Sequence, residues 1–76
     1  MNFMVNVDDL NDDQLSFFGW IRVHTGEEFS TFWNPRYNEE QPVSNSPPRY
    51  LIVDDWNDAQ YMAAGAGGIV KGPQRH

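Results

Sequence analysis

Cysteine is absent from this 76-residue chain, which excludes disulfide staples and thiolate-bound metal clusters. A chain without Cys fits an intracellular site, where thiols stay reduced, without requiring one. Basic residues are also scarce. Lys and Arg together number five against eleven acidic residues, giving a formal net charge of −6. Phosphate neutralisation by cations supplies most non-specific affinity for nucleic acids, so this balance argues against direct binding to DNA, RNA or anionic membranes. Imidazoles are few, only His24 and His76. No apolar run approaches the length of a membrane span. Met1 to Val7 is too short, and lacks the positive start, for a secretory signal. The chain therefore reads as soluble, unprocessed and cytoplasmic.

Aromatic residues are plentiful: three Trp, three Tyr and five Phe. A domain of this length buries only roughly 60% of its unfolded surface, so a dense aromatic core is its main route to stability. Self-association or docking on a partner is the other remedy for a thin core, which leaves a homo-oligomer open.

Residues 8–17 read as a short helix. Asn11 with Gln14 three residues later forms a capping-box pattern, and Asp12 and Asp13 would occupy the first turn. Asp8 or Asp9 could equally cap a slightly longer helix. From Phe18 onward, Trp20, Ile21, Val23 and Thr25 favour strand, and Gly19 weakens a continuing helix. Residues 18–24 and 28–33 are predicted as a β-hairpin turning at Thr25-Gly26-Glu27. The alternative is a helix from Asp12 to His24 followed by a second helix capped by Thr25, with Glu28 as its box partner. Residues 34–48 hold four of the five prolines and read as a loop or extended arm. Arg49 to Val53 reads as a buried strand. Asp54 or Asp55 would cap a final helix from Trp56 to about Ala64. The expected fold is a small α+β single domain over residues 1–68. Its antiparallel sheet, the hairpin plus one further strand, is covered by one or two short helices. Residues 69–76 are expected to be a flexible tail. Phe18, Trp20, Ile21, Val23, Phe29, Phe32, Leu51, Val53, Trp56 and Tyr61 are the core candidates.

Ten of the eleven acids come in adjacent pairs, with Asp58 alone. Residues 1–28 contain six acids and one base, Arg22, so the negative field lies at the N-terminal end. Helix capping accounts for Asp54-Asp55 and for part of the N-terminal excess, since a carboxylate at a helix start is stabilised by roughly 0.3–1 kcal/mol. Glu39-Glu40 fits a solvated loop. Four acids within six residues, Asp8, Asp9, Asp12 and Asp13, exceed what one helix start needs. On a helix, Asp8/Asp12 and Asp9/Asp13 would share a face at roughly 5–6 Å between Cβ atoms. Such rows are comparable to phosphates along a nucleic-acid strand. A basic, nucleic-acid-binding protein is then the expected partner, steered by the acidic field, with Glu27 and Glu28 extending the face if the hairpin tip folds beside the helix. Trp33 or Tyr37 would supply the buried anchor that charge alone does not provide. In size and composition the chain resembles phage-encoded inhibitors of host nucleic-acid enzymes. That resemblance implies action in the host cytoplasm.

Two further patterns involve proline recognition. Gly19-Trp20, followed by Phe32-Trp33-Asn34-Pro35, resembles a WW domain over about residues 19–42 and implies a small three-stranded sheet. The family's second Trp would fall at Pro42 and its following proline at Asn45, so the peptide groove is not carried over. Pro47-Pro48-Arg49-Tyr50 matches the PPxY peptide that WW domains bind, which makes an adaptor the alternative function. The competing account is a rigid lead into the strand at Tyr50.

No enzyme is expected, and neither a metal nor a cofactor. Asp9, Asn11 and Asp13 match the first alternating ligands of an EF-hand loop, but Gln14 stands where Gly is needed and Trp20 where Glu is needed. His24 lacks a third ligand beside Glu27 or Glu28 and reads as an exposed strand residue. No Ser has a recognisable base. Gly65 to Lys71 is similar to a phosphate loop, with Val70 in place of the essential Gly.

Overall fold

A computed structural model describes residues 2–65, 70 and 71 of the chain. Strand β1 spans Phe3–Asn6, helix α1 Asp12–Phe17, β2 Ile21–Thr25, β3 Phe29–Asn34 and β4 Glu39–Ser44. They are followed by β5 at Tyr50–Val53, α2 at Trp56–Gly65 and a short β6 at Val70–Lys71. All described pairings are antiparallel, in two three-stranded sheets ordered β5-β1-β6 and β2-β3-β4. The α+β class and the hairpin are as the sequence predicts, and the all-helical alternative for residues 12–33 is not adopted.

Local chemistry explains α1. The Asn11 side chain accepts from the Gln14 N–H, and the Gln14 side chain accepts from the Asn11 N–H, both at 2.9 Å. Each partner satisfies a donor that the helix start leaves open. The helix stops at a Schellman turn. Trp20 N–H donates to the Leu15 carbonyl at 3.0 Å and Gly19 N–H to that of Ser16 at 2.8 Å. Gly19 has a φ of +94°, which suits a residue without Cβ. Helix α2 is capped by Asp55, whose Oδ1 accepts from the N–H groups of Asn57 at 2.8 Å and Asp58 at 3.3 Å.

Strands β1 and β4, besides the short β6, escape the sequence patterns. In β1, Phe3 and Val5 are buried opposite Val53 and Leu51. Met4 between them is apolar too, so the segment shows no period-two alternation to read. Strand β4 lies inside the stretch predicted as a loop, and it corrects that expectation. Its acids and Pro42 favour other conformations, yet pairing with β3 prevails because strand preference depends on context. The exposed Pro42 is tolerated because β4 lies at the edge of its sheet.

Gln41 joins the two sheets. Its Nε2 donates to the Ile52 carbonyl at 2.6 Å, and its Oε1 accepts the Ile52 N–H at 2.8 Å. A buried side-chain amide thus bonds both backbone groups of one β5 residue, as a strand neighbour would. The core fills the space between the sheets and α2, with Val5, Val7, Leu15, Trp20, Phe32 and Met62 at its centre.

The predicted core is half right. Trp20, Phe32, Leu51 and Val53 are buried, and Phe18 packs half-buried against them. Ile21, Val23, Phe29, Trp56 and Tyr61 are exposed instead. Ile21 and Val23 lie on the edge strand β2, which carries a bulge between Arg22 and His24. Phe29 faces outward, Tyr61 lies on the solvent side of α2, and Trp56 covers Phe3 at 5.0 Å between ring centroids. Their places are taken by β1, by Leu10 and Leu15, and by the small face of α2 at Ala59 and Ala63. Within the segment expected as a tail, Val70 and Lys71 pair with Val5 and Met4. The rest of residues 69–76, and most of the stretch compared with a phosphate loop, lie outside the described residues. Among the described residues, no helix is long and apolar enough to cross a membrane.

Candidate functional site

The β1–α1 connection is anchored at both ends by buried apolar side chains, Val7 and Leu10. Val7 N–H donates to the Arg49 carbonyl at 2.9 Å and Leu10 N–H to that of Val7 at 3.1 Å. The Arg49 guanidinium donates to the carbonyls of Val7 and Leu10. This frame fixes where the four N-terminal aspartates stand.

Asp8 and Asp9 form a turn ahead of the Asn11 cap. The two carboxylate rows expected along one helix face therefore do not exist. Asp8 is committed to the fold: its Oδ1 accepts the Arg49 N–H at 2.7 Å and lies 3.8 Å from Arg49 Nε. Asp12 is also committed, through a bidentate pair with Arg22, Nε to Oδ2 at 2.8 Å and Nη2 to Oδ1 at 3.0 Å. Arg22 Nη1 donates to Ser30 Oγ at 2.7 Å, and its guanidinium lies over the Phe32 ring, 4.8 Å from the centroid. Ser30 Oγ donates in turn to Asn45 Oδ1 at 2.6 Å. This chain ties α1 to β2, β3 and the loop after β4.

The Arg22 hydrogen bonds hold the Asp12 carboxyl below the ordinary value of 3.8 and raise the Arg22 pKa, against a smaller opposing effect of burial. Asp12 ionises more readily folded than unfolded. Its contribution is therefore complete above the ordinary carboxylate range and is lost as pH falls below that range through the lowered folded-state value. Asp12→Asn should cost up to about 1 kcal/mol at pH 7, since the pair is half exposed. Urea melts of both proteins should converge as pH falls below the ordinary carboxylate value. A constant difference across pH would rule out the ion pair as its source.

Asp9 and Asp13 are exposed, and neither carboxylate has a partner among the described residues. The same holds for Glu27, Glu28 and Glu40. Glu27 and Glu28 stand at the tip of the β2–β3 hairpin. From Arg22, which holds Asp12, the tip at Glu27 is five residues along the chain, three of them in β2, up to about 16 Å at about 3.3 Å per extended residue. The hairpin tip therefore lies towards the far end of β2 from the Asp12–Arg22 pair.

The two predicted aromatic anchors differ in placement. Trp33 is half-buried on the outer face of the β2-β3-β4 sheet, opposite Ile21 and Glu40. Tyr37 packs against Trp20 at 6.1 Å between centroids, and its hydroxyl donates to Asp58 Oδ2 at 2.8 Å. Burial, reinforced by Asp58, drives the Tyr37 pKa upward. As a packed and bonded residue, Tyr37 is no free anchor, which corrects that expectation. Arg36 completes this cluster, 2.7 Å from Asp58, 3.6 Å from Asp55 and over the Tyr37 ring at 5.4 Å.

A groove of about 280 Å³ opens between α1 and α2, lined by Leu10, Asp13, Gln14, Phe17, Phe18 and Tyr61. Phe17 is 83% exposed and Tyr61 65%. Neither was singled out as a site residue from the sequence. The signal for Phe17 was present: it lies two residues from Leu15, about 200° around a helix at 100° per residue, so burying Leu15 turns Phe17 outward.

No protein-family model, curated protein or solved structure matches this chain. Pro47 and Pro48 are exposed, but Tyr50 is half-buried in β5 opposite Asn6, and Arg49 is held by Asp8, Val7 and Leu10. The PPxY-like segment is thus integrated into the fold. Residues 21–44 do form a three-stranded sheet, as the WW resemblance implies, with Pro42 exposed where that family carries its ligand-binding Trp. His24 is an exposed β2 residue, and no group of three or more His, Asp or Glu among the described residues is arranged to hold a metal.

Proposed function

We propose that this protein binds a basic, nucleic-acid-binding protein in the cytoplasm and inhibits it by occupying its cationic surface. One observation carries this reading. Arg22, Arg36 and Arg49 are all taken up by internal ion pairs, whereas Asp9, Asp13, Glu27, Glu28 and Glu40 have no counter-ion among the described residues. These three arginines are neutralised at home, and the exposed acids beside them carry uncompensated negative charge. Such a surface attracts cationic partners and repels nucleic acids and anionic lipids. Phosphate substitution is assigned to Asp9 and Asp13, while Asp8 and Asp12 shape the turn that presents them.

Capture from lysate of cells expressing the protein, at low and high salt, tests this. The captured protein should bind nucleic acid by itself and lose it as this chain is added. Asp9→Asn/Asp13→Asn should weaken capture by about 3–10-fold, an effect that shrinks in high salt because exposed charges are screened. Equal capture by the double variant, or a partner indifferent to nucleic acid, would refute charge mimicry. A second reading, self-association, is favoured by the outer sheet face bearing Ile21, Phe29 and Trp33. Light scattering across concentrations separates it.

A further inference from the structure

Carboxylates and aromatic rings recur together in this fold, and twice they hold an arginine. Asp12 binds Arg22 while Phe32 lies beneath its guanidinium. Asp58 binds Arg36 while Tyr37 lies beneath it. A third set, Asp13 with Phe17 and Tyr61, lines the groove between α1 and α2 and has no arginine of its own. Asp13 and Phe17 are four residues apart on α1, so their side chains share one face, with Cβ atoms about 5–6 Å apart. Phe18 backs Phe17 edge-on, with centroids 5.4 Å apart and planes at 87°. A planar guanidinium can pair with a carboxylate through two parallel hydrogen bonds and stack flat on an aromatic face. An ammonium pairs with the carboxylate only as a point charge and has no flat surface to stack on a ring.

We propose that the groove between α1 and α2 is the docking site for an arginine side chain of the basic partner. Asp13 binds the guanidinium, and Phe17 and Tyr61 enclose it. Charge complementarity selects this occupant. The groove combines an unpaired carboxylate with the two most exposed large aromatics of the described chain. The inference rests on the function proposed above and adds the anchor that an acidic surface alone lacks.

The test is an NMR titration of the full chain with two blocked peptides, acetyl-Leu-Arg-Gly-Arg-Leu-amide and its Lys counterpart. The Arg peptide should give saturable shifts at the Phe17 and Tyr61 rings, and the Lys peptide should bind several-fold more weakly. Asp13→Asn and Phe17→Ala should each weaken Arg-peptide binding about tenfold, whereas Glu39→Gln, an exposed acid on β4 that does not line the groove, should change it less than about twofold. Phe17 is so exposed that its removal leaves the core intact, and unchanged far-UV circular dichroism checks this. Equal binding of both peptides, or indifference to Asp13→Asn and Phe17→Ala, would overturn the proposal by showing mere attraction to net charge. The two readings fail separately. Specific Arg-peptide binding alongside a captured partner indifferent to nucleic acid would sink mimicry alone. A nucleic-acid-competing partner whose capture ignores Phe17→Ala would sink the groove alone.

Discussion

Replacing Phe32 by Ala will remove about 3–5 kcal/mol of stability, the usual cost of deleting a buried aromatic side chain. Phe32 is 1% exposed at the centre of β3, between Arg22 on one neighbouring strand and Gln41 on the other. Removing it opens a cavity beneath the Arg22 guanidinium and withdraws the ring face from that cation, a contact worth about 0.5–1 kcal/mol. The cavity cannot collapse freely, because Arg22 is held by Asp12 and Ser30, and Gln41 by Ile52. At about 0.05–0.15 kcal/mol per residue, a chain of this size has little margin beyond such a loss. Urea denaturation followed by circular dichroism should show Phe32→Ala largely unfolded, or melting at far lower denaturant. A midpoint within the experimental error of the wild type would mean that Phe32 is not the keystone of this core.

Gly19→Ala is expected to cost about 2–4 kcal/mol although it adds a single methyl group. One part is backbone strain. At a φ of +94° an L side chain is crowded, and positive φ costs non-glycine residues about 1–2 kcal/mol. The other part is collision. A Cβ at Gly19 would stand 2.7 Å from Asn34 Oδ1 and 3.0 Å from its Nδ2. Asn34 cannot simply move aside, because it is wholly buried, donates to the Phe18 carbonyl at 3.0 Å and accepts the Arg36 N–H at 2.9 Å. Displacing it would leave buried polar groups unpaired, at about 1–3 kcal/mol. The double variant Gly19→Ala/Asn34→Ala separates the two parts. Coupling between the two substitutions in a double-mutant cycle would identify the collision, and strict additivity would leave strain alone.

The N-terminal acidic stretch shows where reading the sequence succeeds and where it stops. The capping box of Asn11 and Gln14 is legible because its bonds span three residues and depend on nothing farther away. The hairpin at 21–34 is legible through its β-branched and aromatic content, and the Asp55 cap through its position before a run of helix formers. The fate of each aspartate is not legible. Asp12 is neutralised by Arg22, ten residues on, and Asp8 by Arg49, whose N–H is forty-one residues away. Asp9 and Asp13, of the same residue type and adjacent to them, are left outward-facing. Strand β4 was hidden for a related reason, since its pairing with β3 and the Gln41 bridge to Ile52 override the preferences of its own acids and proline.

The sequence by itself determined the scarcity of cations, the excess of N-terminal acids, the aromatic supply and the local caps and turns, because each depends on composition or on neighbours within a few residues. Tertiary structure alone decided which carboxylates are neutralised, which aromatics enter the core, and that Asp13, Phe17 and Tyr61 meet at one groove. Those outcomes require residues distant in the chain to be brought into contact. Contact is settled by how the two sheets and α2 close over a shared core, a global packing condition that no short segment encodes.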